Sequence, residues 1–223
     1  MLDKFEKIIF ALPKGRILNK AIKLMSDSDI KPEEDFINPD SRKLRFSTND
    51  QELDLIRIRS ADVPTFVAFG AADIGIAGQD DLLELGYPEL YVPLDLNIGL
   101  CKLVIAQSAD LDSIEPNPPL SYIKIATKYP NITKKYFEKK GVQAECIKLN
   151  GAIELAPSLG LCERIVDIVE TGKTLKANGL VEKEKIADIS SCLIVNRTSL
   201  KTKPDKINNL INRFTETVHG KAA

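Results

Sequence analysis

One stretch of the 223-residue chain carries residue types in an order that can do chemistry: Val166-Asp167-Ile168-Val169-Glu170-Thr171-Gly172-Lys173-Thr174. An apolar strand runs into carboxylates, then into a turn of Thr, Gly, Lys and Thr that opens a helix. Such a turn suits a sugar phosphate. Its backbone N–H groups, with the Thr171 and Thr174 hydroxyls, can ring a phosphate, and Gly172 lets the anion come close. Carboxylates at a strand end can accept hydrogen bonds from the 2- and 3-hydroxyls of a ribose, directly or through Mg²⁺. Gly172-Lys173-Thr174 does not complete a P-loop, which would need glycine at position 167, where Asp stands.

Other candidates sit at strand ends. Lys14, Gly15 and Arg16 follow the first apolar run and open a helix, an anion-binding position where a cation is otherwise disfavoured by the helix dipole. The glycines of Asp73-Ile74-Gly75-Ile76-Ala77-Gly78 leave room for a ligand beside the carboxyl end of a strand, or for close packing of Gly75 on a helix. Asp95 ends another strand, and Gly151 and Glu154 start a helix directly after one. Arg57 and Arg59 fall on one strand face, away from Ile56 and Ile58, where they flank a cleft or face water. Tyr129, Tyr136 and Phe137 read as packing rather than as a base-stacking platform.

Composition removes several chemistries. The single histidine, His219, leaves none in the body of the chain for a zinc site or a Ser/Cys-His triad. With 31 Lys plus Arg against 32 Asp plus Glu there is no basic field for nucleic acid. Cys101, Cys146, Cys162 and Cys192 form no C-x-x-C pair and read as reduced cysteines of a cytoplasmic protein. The first residues lack the pattern of a secretory signal, and no apolar run approaches the roughly 18 residues of a membrane span.

The elements that must position these residues alternate. Strands are expected at 7–12, 53–58, 73–77 and 90–94, then at 102–106, 123–126, 144–149 and 164–169, and in the tail at 185–190 and 192–196. A short hairpin is expected around 43–46. Helices are expected at 17–25, 63–69, 80–85, 132–139, 153–158, 174–177 and 206–218, and a proline-bearing loop at 108–120. Strands separated by helices argue for an α/β fold of βαβ units with parallel sheets. Two such series suggest two α/β domains, 1–96 plus 180–223, and 97–179 carrying the Thr-Gly-x-Thr turn.

That turn, preceded by spaced acids, resembles the phosphoribosyl-pyrophosphate (PRPP) loop of phosphoribosyltransferases, although Val166 replaces the first of the usual paired acids. The segments LPKGRILNKA, LDLIRIRSADVP, GAADIGIAGQD, LDLNIGLCKLVIA, KIATKYPN, KLNGAIELAP and IVDIVETGKTLKANGL, in that order, resemble the ATP phosphoribosyltransferase family. The resemblance implies two α/β domains of periplasmic-binding-protein-like (type II) topology with the active site in the interdomain cleft. It implies transfer of the phosphoribosyl group of PRPP to N1 of ATP, with Mg²⁺ held through substrate phosphates and possible help from Asp167. It places Arg16 and Arg42 on the pyrophosphate, and Asp167, Glu170, Thr171, Gly172, Lys173 and Thr174 on PRPP. Lys14, Gly15, Arg16, Gly78, Asp95, Gly151 and Glu154 fall on ATP. The length matches the short form of the family, which works as a homodimer within a hetero-oligomer containing a regulatory subunit similar to histidyl-tRNA synthetase. Two rival readings stand beside it: a salvage phosphoribosyltransferase acting on a free base, and a solute- or effector-binding module of the same two-lobed topology.

Overall fold

The computed structural model describes residues 7–38, 40–111 and 122–220. Two compact units divide the chain: Met1–Gly99 with Ser190–Ala223, and Leu100–Ile189.

The first unit is built on β1 (Ile8–Pro13), β2 (Arg45–Ser47), β3 (Leu53–Ile58) and β4 (Ile74–Gly78). It also takes the parts of two long strands, β5 (Leu90–Ser108) and β9 (Leu180–Asn196), that fall within its limits. β1 pairs in parallel with β3 and β4, while β9 runs antiparallel to β4. Alternation along each strand makes two cores. Ile8, Phe10, Leu12, Ile74, Ile76, Leu193 and Val195 face one side, where α1 (Arg16–Asp27) and α7 (Pro204–His219) bring Ala21, Met25, Ile207, Leu210 and Phe214. Ala11, Ala77, Cys192 and Ile194 face the other, against Val63 and Val67 of α2 (Val63–Ala68). A Cβ on Gly75 would stand 2.9 Å from Val63 Cγ1 and 3.0 Å from Val67 Cγ2, so close helix packing accounts for this glycine. Helix α3 (Gln79–Leu85) follows β4 directly.

The second unit repeats the plan with β6 (Tyr122–Thr127), β7 (Gln143–Lys148) and β8 (Arg164–Val169), with α4 (Pro130–Glu138) between β6 and β7. β6 is parallel to β7 and β8, and β5 is antiparallel to β8. Val104, Ala106 and Ile165 face one core; Leu103, Ile105, Ile125 and Val166 face the other, with Tyr129 and Phe137 packed there as side-chain filler.

Several elements depart from expectation. The sheets are mixed, not parallel: β9 runs antiparallel to β4, and β5 antiparallel to β8. The strands expected at 90–94 and 102–106 are one strand, in which Asn97 and Gly99 take φ of 53° and 67°. Those at 185–190 and 192–196 are likewise one strand beginning at Leu180. The expected helix at 153–158 is a single 3₁₀ turn, Ile153–Leu155, entered through Ala152 at φ 51° and closed before Pro157. A separate helix α6 (Arg197–Thr202) precedes the last one, and Asn196 Oδ1 accepts from Thr198 N and Ser199 N at 2.8 and 2.9 Å to start it. The strand inside the expected hairpin exists, and its partner is β3. Most of the expected 108–120 loop lies outside the described residues.

Candidate active site

Parallel pairing collects strand ends. In the second unit the carboxyl ends of β6, β7 and β8 lie at one edge, and Leu149 N donates to Thr127 O at 3.0 Å there. This brings Gly151 and Glu154, after β7, to the same edge as Glu170, Thr171, Gly172, Lys173 and Thr174, after β8. Asp167 is half-buried near the end of β8, opposite Val104 of β5, and its Oδ1 accepts from Ile168 N at 2.8 Å. Gly172 takes φ 72°, the left-handed region that only glycine enters freely, and starts α5 (Lys173–Ala177). Glu170, Thr171, Lys173 and Thr174 are exposed around that turn.

In the first unit β1, β3 and β4 end at one edge as well. Lys14 N donates to Ile58 O at 2.7 Å, which ties the ends of β1 and β3. Gly15 adopts φ 98° at the start of α1, whose first turn carries no acid and no side-chain cap. The uncapped N–H groups of a 12-residue helix and the exposed Lys14 and Arg16 side chains together favour an anion. Gly78 ends β4 next to Gln79, whose Oε1 accepts from Ser190 N at 3.2 Å; Ser190 Oγ donates to Asp95 Oδ2 at 2.6 Å. Asp95 Oδ1 also accepts from Asn97 N at 2.9 Å, so Gly78 and Asp95 are joined through Gln79 and Ser190. Ser190 and Gln79 carry no signal in the sequence, being polar residues of a long strand and a helix start. Burial pushes the neighbouring Cys192 thiol up to about 11, and the Asp95 charge adds to the effect, so this cysteine stays a thiol.

Arg42 is exposed, just before β2. Because β2 is antiparallel to β3, with Arg45 opposite Ile56, this segment reaches the carboxyl end of β3 and so the same edge as Arg16. Arg59 is exposed beyond β3, but Arg57 does not face water: it is buried, 7% exposed, and shares the core-facing side of the strand with Leu53 and Leu55. The period of two places it there, and the apolar neighbours at 53 and 55 are the signal for burial.

Glu33 braces the same segment. It accepts from Lys43 Nζ, from Ser47 N at 3.1 Å and from Ser47 Oγ at 2.5 Å. The Lys43 bond first, then the Ser47 bonds, hold its carboxyl down from 4.5 to about 2. A folded value below the unfolded one means that this tie is fully present above pH 4.5 and fades as pH falls toward 2. Carboxyl-carbon NMR titration should find a Glu33 midpoint near 2; a midpoint near 4.5 would show that the brace does not form in solution.

A family profile described as ATP phosphoribosyltransferase matches residues 59–216. Similar over almost the whole length is an ATP phosphoribosyltransferase of Rhodospirillum rubrum, 55% identical over 99% of this chain and 97% of that one. The chain belongs to the ATP phosphoribosyltransferase family. An ATP phosphoribosyltransferase of Paramagnetospirillum magneticum is also 55% identical, over 96% of this chain and 98% of its own. Among solved structures, the ATP phosphoribosyl transferase (HisG:HisZ) complex from Thermotoga maritima matches with a TM-score of 0.80 and 32% identity, covering 96% of this chain and 100% of that one. The fold is accordingly the periplasmic-binding-protein-like one of ATP phosphoribosyltransferases. The chain is an enzyme of the first step of histidine biosynthesis, phosphoribosyl transfer from PRPP to ATP. The salvage and solute-binding readings give way to this one. No helix among the described residues is long and apolar enough to cross a membrane.

Proposed function

We propose that the β8 turn of the second unit binds PRPP and that the strand ends of the first unit supply the cations for the departing pyrophosphate. The observation that carries this reading is the Gly172 turn, in which left-handed glycine, exposed threonines and lysine, and a half-buried Asp167 meet at one strand end. Asp167 and Glu170 hold the ribose hydroxyls. Thr171, Lys173, Thr174 and the turn N–H groups hold the 5-phosphate. Lys14, Gly15, Gly78, Asp95, Gly151 and Glu154 contact ATP, and Arg16 and Arg42 meet the pyrophosphate.

Adenine N1 attacks C1 of the ribose with its own lone pair, the C1–O bond to pyrophosphate breaks, and configuration inverts. No proton needs to leave N1 beforehand, so the chain needs no catalytic histidine. What the transition state needs is charge stabilisation on the leaving group, which Arg16 and Arg42 provide. The Asp167 carboxylate, near the end of β8, is a hard oxygen donor and fits Mg²⁺ shared with substrate phosphate oxygens. When bound, the ion would neutralise charge on the pyrophosphate.

The working assembly on this reading is cytoplasmic: a homodimer of this chain within a hetero-oligomer whose second component is a regulatory chain resembling histidyl-tRNA synthetase. The two-component name of the Thermotoga complex supports a partner. Purified chain with ATP, PRPP and Mg²⁺ should release pyrophosphate and yield N1-phosphoribosyl-ATP, and histidine should inhibit only after the partner is added. Coupling needs a second site with different affinity for two states. Tight, cooperative inhibition of the isolated chain by histidine would overturn the partner assignment.

A further inference from the structure

Arg57 is an unusual way to fill a core. It is 7% exposed and no carboxylate pairs with it among the described residues, yet a buried cation is costly unless something satisfies it. Here the partners are carbonyls and rings. Arg57 Nη1 donates to Phe36 O at 2.6 Å and to Asn38 O at 3.5 Å, and Nη2 donates to Ser41 O at 3.3 Å. The guanidinium lies 5.7 Å from the Phe36 ring centre and 5.1 Å from that of Phe46, and these two rings meet edge to face. Arg57 N further donates to Leu44 O at 2.9 Å. Every one of these acceptors lies on the stretch that leads into and out of Arg42. Asp35 reinforces it, accepting from Ser41 Oγ at 2.6 Å and from Asn38 Nδ2 at 3.2 Å.

We propose that Arg57 is a positioning residue for Arg42, its buried fork gathering the Phe36, Asn38 and Ser41 carbonyls so that Arg42 is held at the strand-end edge. The planar fork is suited to this: its donors reach carbonyls in different directions at once while the group stacks on rings, which a lysine ammonium does not do. Nε is buried without a partner, so the group is not optimised for stability alone. The inference rests on the assignment of Arg42 to the leaving pyrophosphate, and the test separates the two.

The intact protein carrying Arg57→Met, Arg57→Lys, Arg42→Ala, or Arg42→Ala with Arg57→Met is assayed for kcat and KM and digested briefly with trypsin. Mass spectrometry reads cleavage after Arg42 and Lys43. Arg57→Met should lower kcat roughly tenfold or more with a smaller change in KM, and Arg57→Lys should recover part of that. In the Arg42→Ala background, Arg57→Met should change kcat less than about twofold, since the group it positions is gone. Cleavage after Arg42 and Lys43 should quicken in both Arg57 variants at temperatures where the fold is intact. If Arg57→Met does not fold, the Arg57→Lys arm carries the same comparison. Losses that multiply in the double variant, or unchanged kcat and cleavage in Arg57→Lys and Arg57→Met, would overturn the proposal. Wild-type kcat in Arg42→Ala would instead overturn the site assignment, leaving the cleavage pattern to decide whether the clamp exists.

Discussion

Asp167→Asn is expected to weaken PRPP binding roughly ten- to a hundredfold, because one charge-assisted hydrogen bond to a substrate is worth about 1.5 to 3 kcal/mol. The carboxylate sits on a strand fixed on both sides, with Val104 of β5 opposite Asp167 and β6 paired along Arg164–Val166. Its Oδ1 is already oriented by Ile168 N, and an asparagine oxygen can keep that bond. The substitution therefore removes charge without moving the backbone, and thermal melting should stay near that of the parent. Thr171→Ala should act in the same direction for a different reason. Thr171 is exposed, so truncation leaves no cavity and takes away only the hydroxyl proposed to meet the phosphate. Calorimetry with PRPP and Mg²⁺ reads both. Unchanged affinity in the two variants would remove the β8 turn from PRPP binding.

Much of this turn is legible in the amino-acid order itself, and the reason is local. An apolar strand, a glycine that must sit at positive φ and a helix start all fall within a few residues, so one short window contains the whole motif. The Lys14-Gly15-Arg16 turn is readable on the same grounds, with Gly15 at φ 98°. Elements held together by distant partners are not readable in this way. The first residues of β9, Val181 to Lys185, are exposed and mostly charged, and carry no buried alternation. Ion pairs reach them from elsewhere in the unit: Lys102 Nζ lies 3.1 Å from Glu182 and Lys140 Nζ 2.5 Å from Glu184. Arg42 comes to the edge that holds Arg16 only because β2 turns back on β3, a pairing the hydropathy of either strand does not specify. Arg57 departs from expectation for a related cause: charge suggests solvent, whereas its strand face is the apolar one, and the groups that satisfy it are carbonyls with no sequence signature.

Arg16→Ala and Arg42→Ala are expected to lower kcat more than they raise KM. Negative charge on the pyrophosphate grows as the C1–O bond lengthens, so a cation fixed there meets more charge in the transition state than in the bound substrate. Loss of one such preorganised donor typically costs roughly a hundred- to a thousandfold in turnover, and that is the size expected of each variant. For Arg16 the folding effect runs the other way, which makes the test clean. Its side chain is exposed in the first turn of α1, where the helix dipole disfavours a cation by about 0.3 to 1 kcal/mol. Alanine should thus leave thermal stability unchanged or slightly raised while turnover falls. Steady-state kinetics with both substrates, alongside melting curves, would show the two effects moving apart. A raised KM with kcat intact would reduce Arg16 to uniform binding of the substrate phosphates, and full activity in both variants would return the leaving-group role to other cations of the chain.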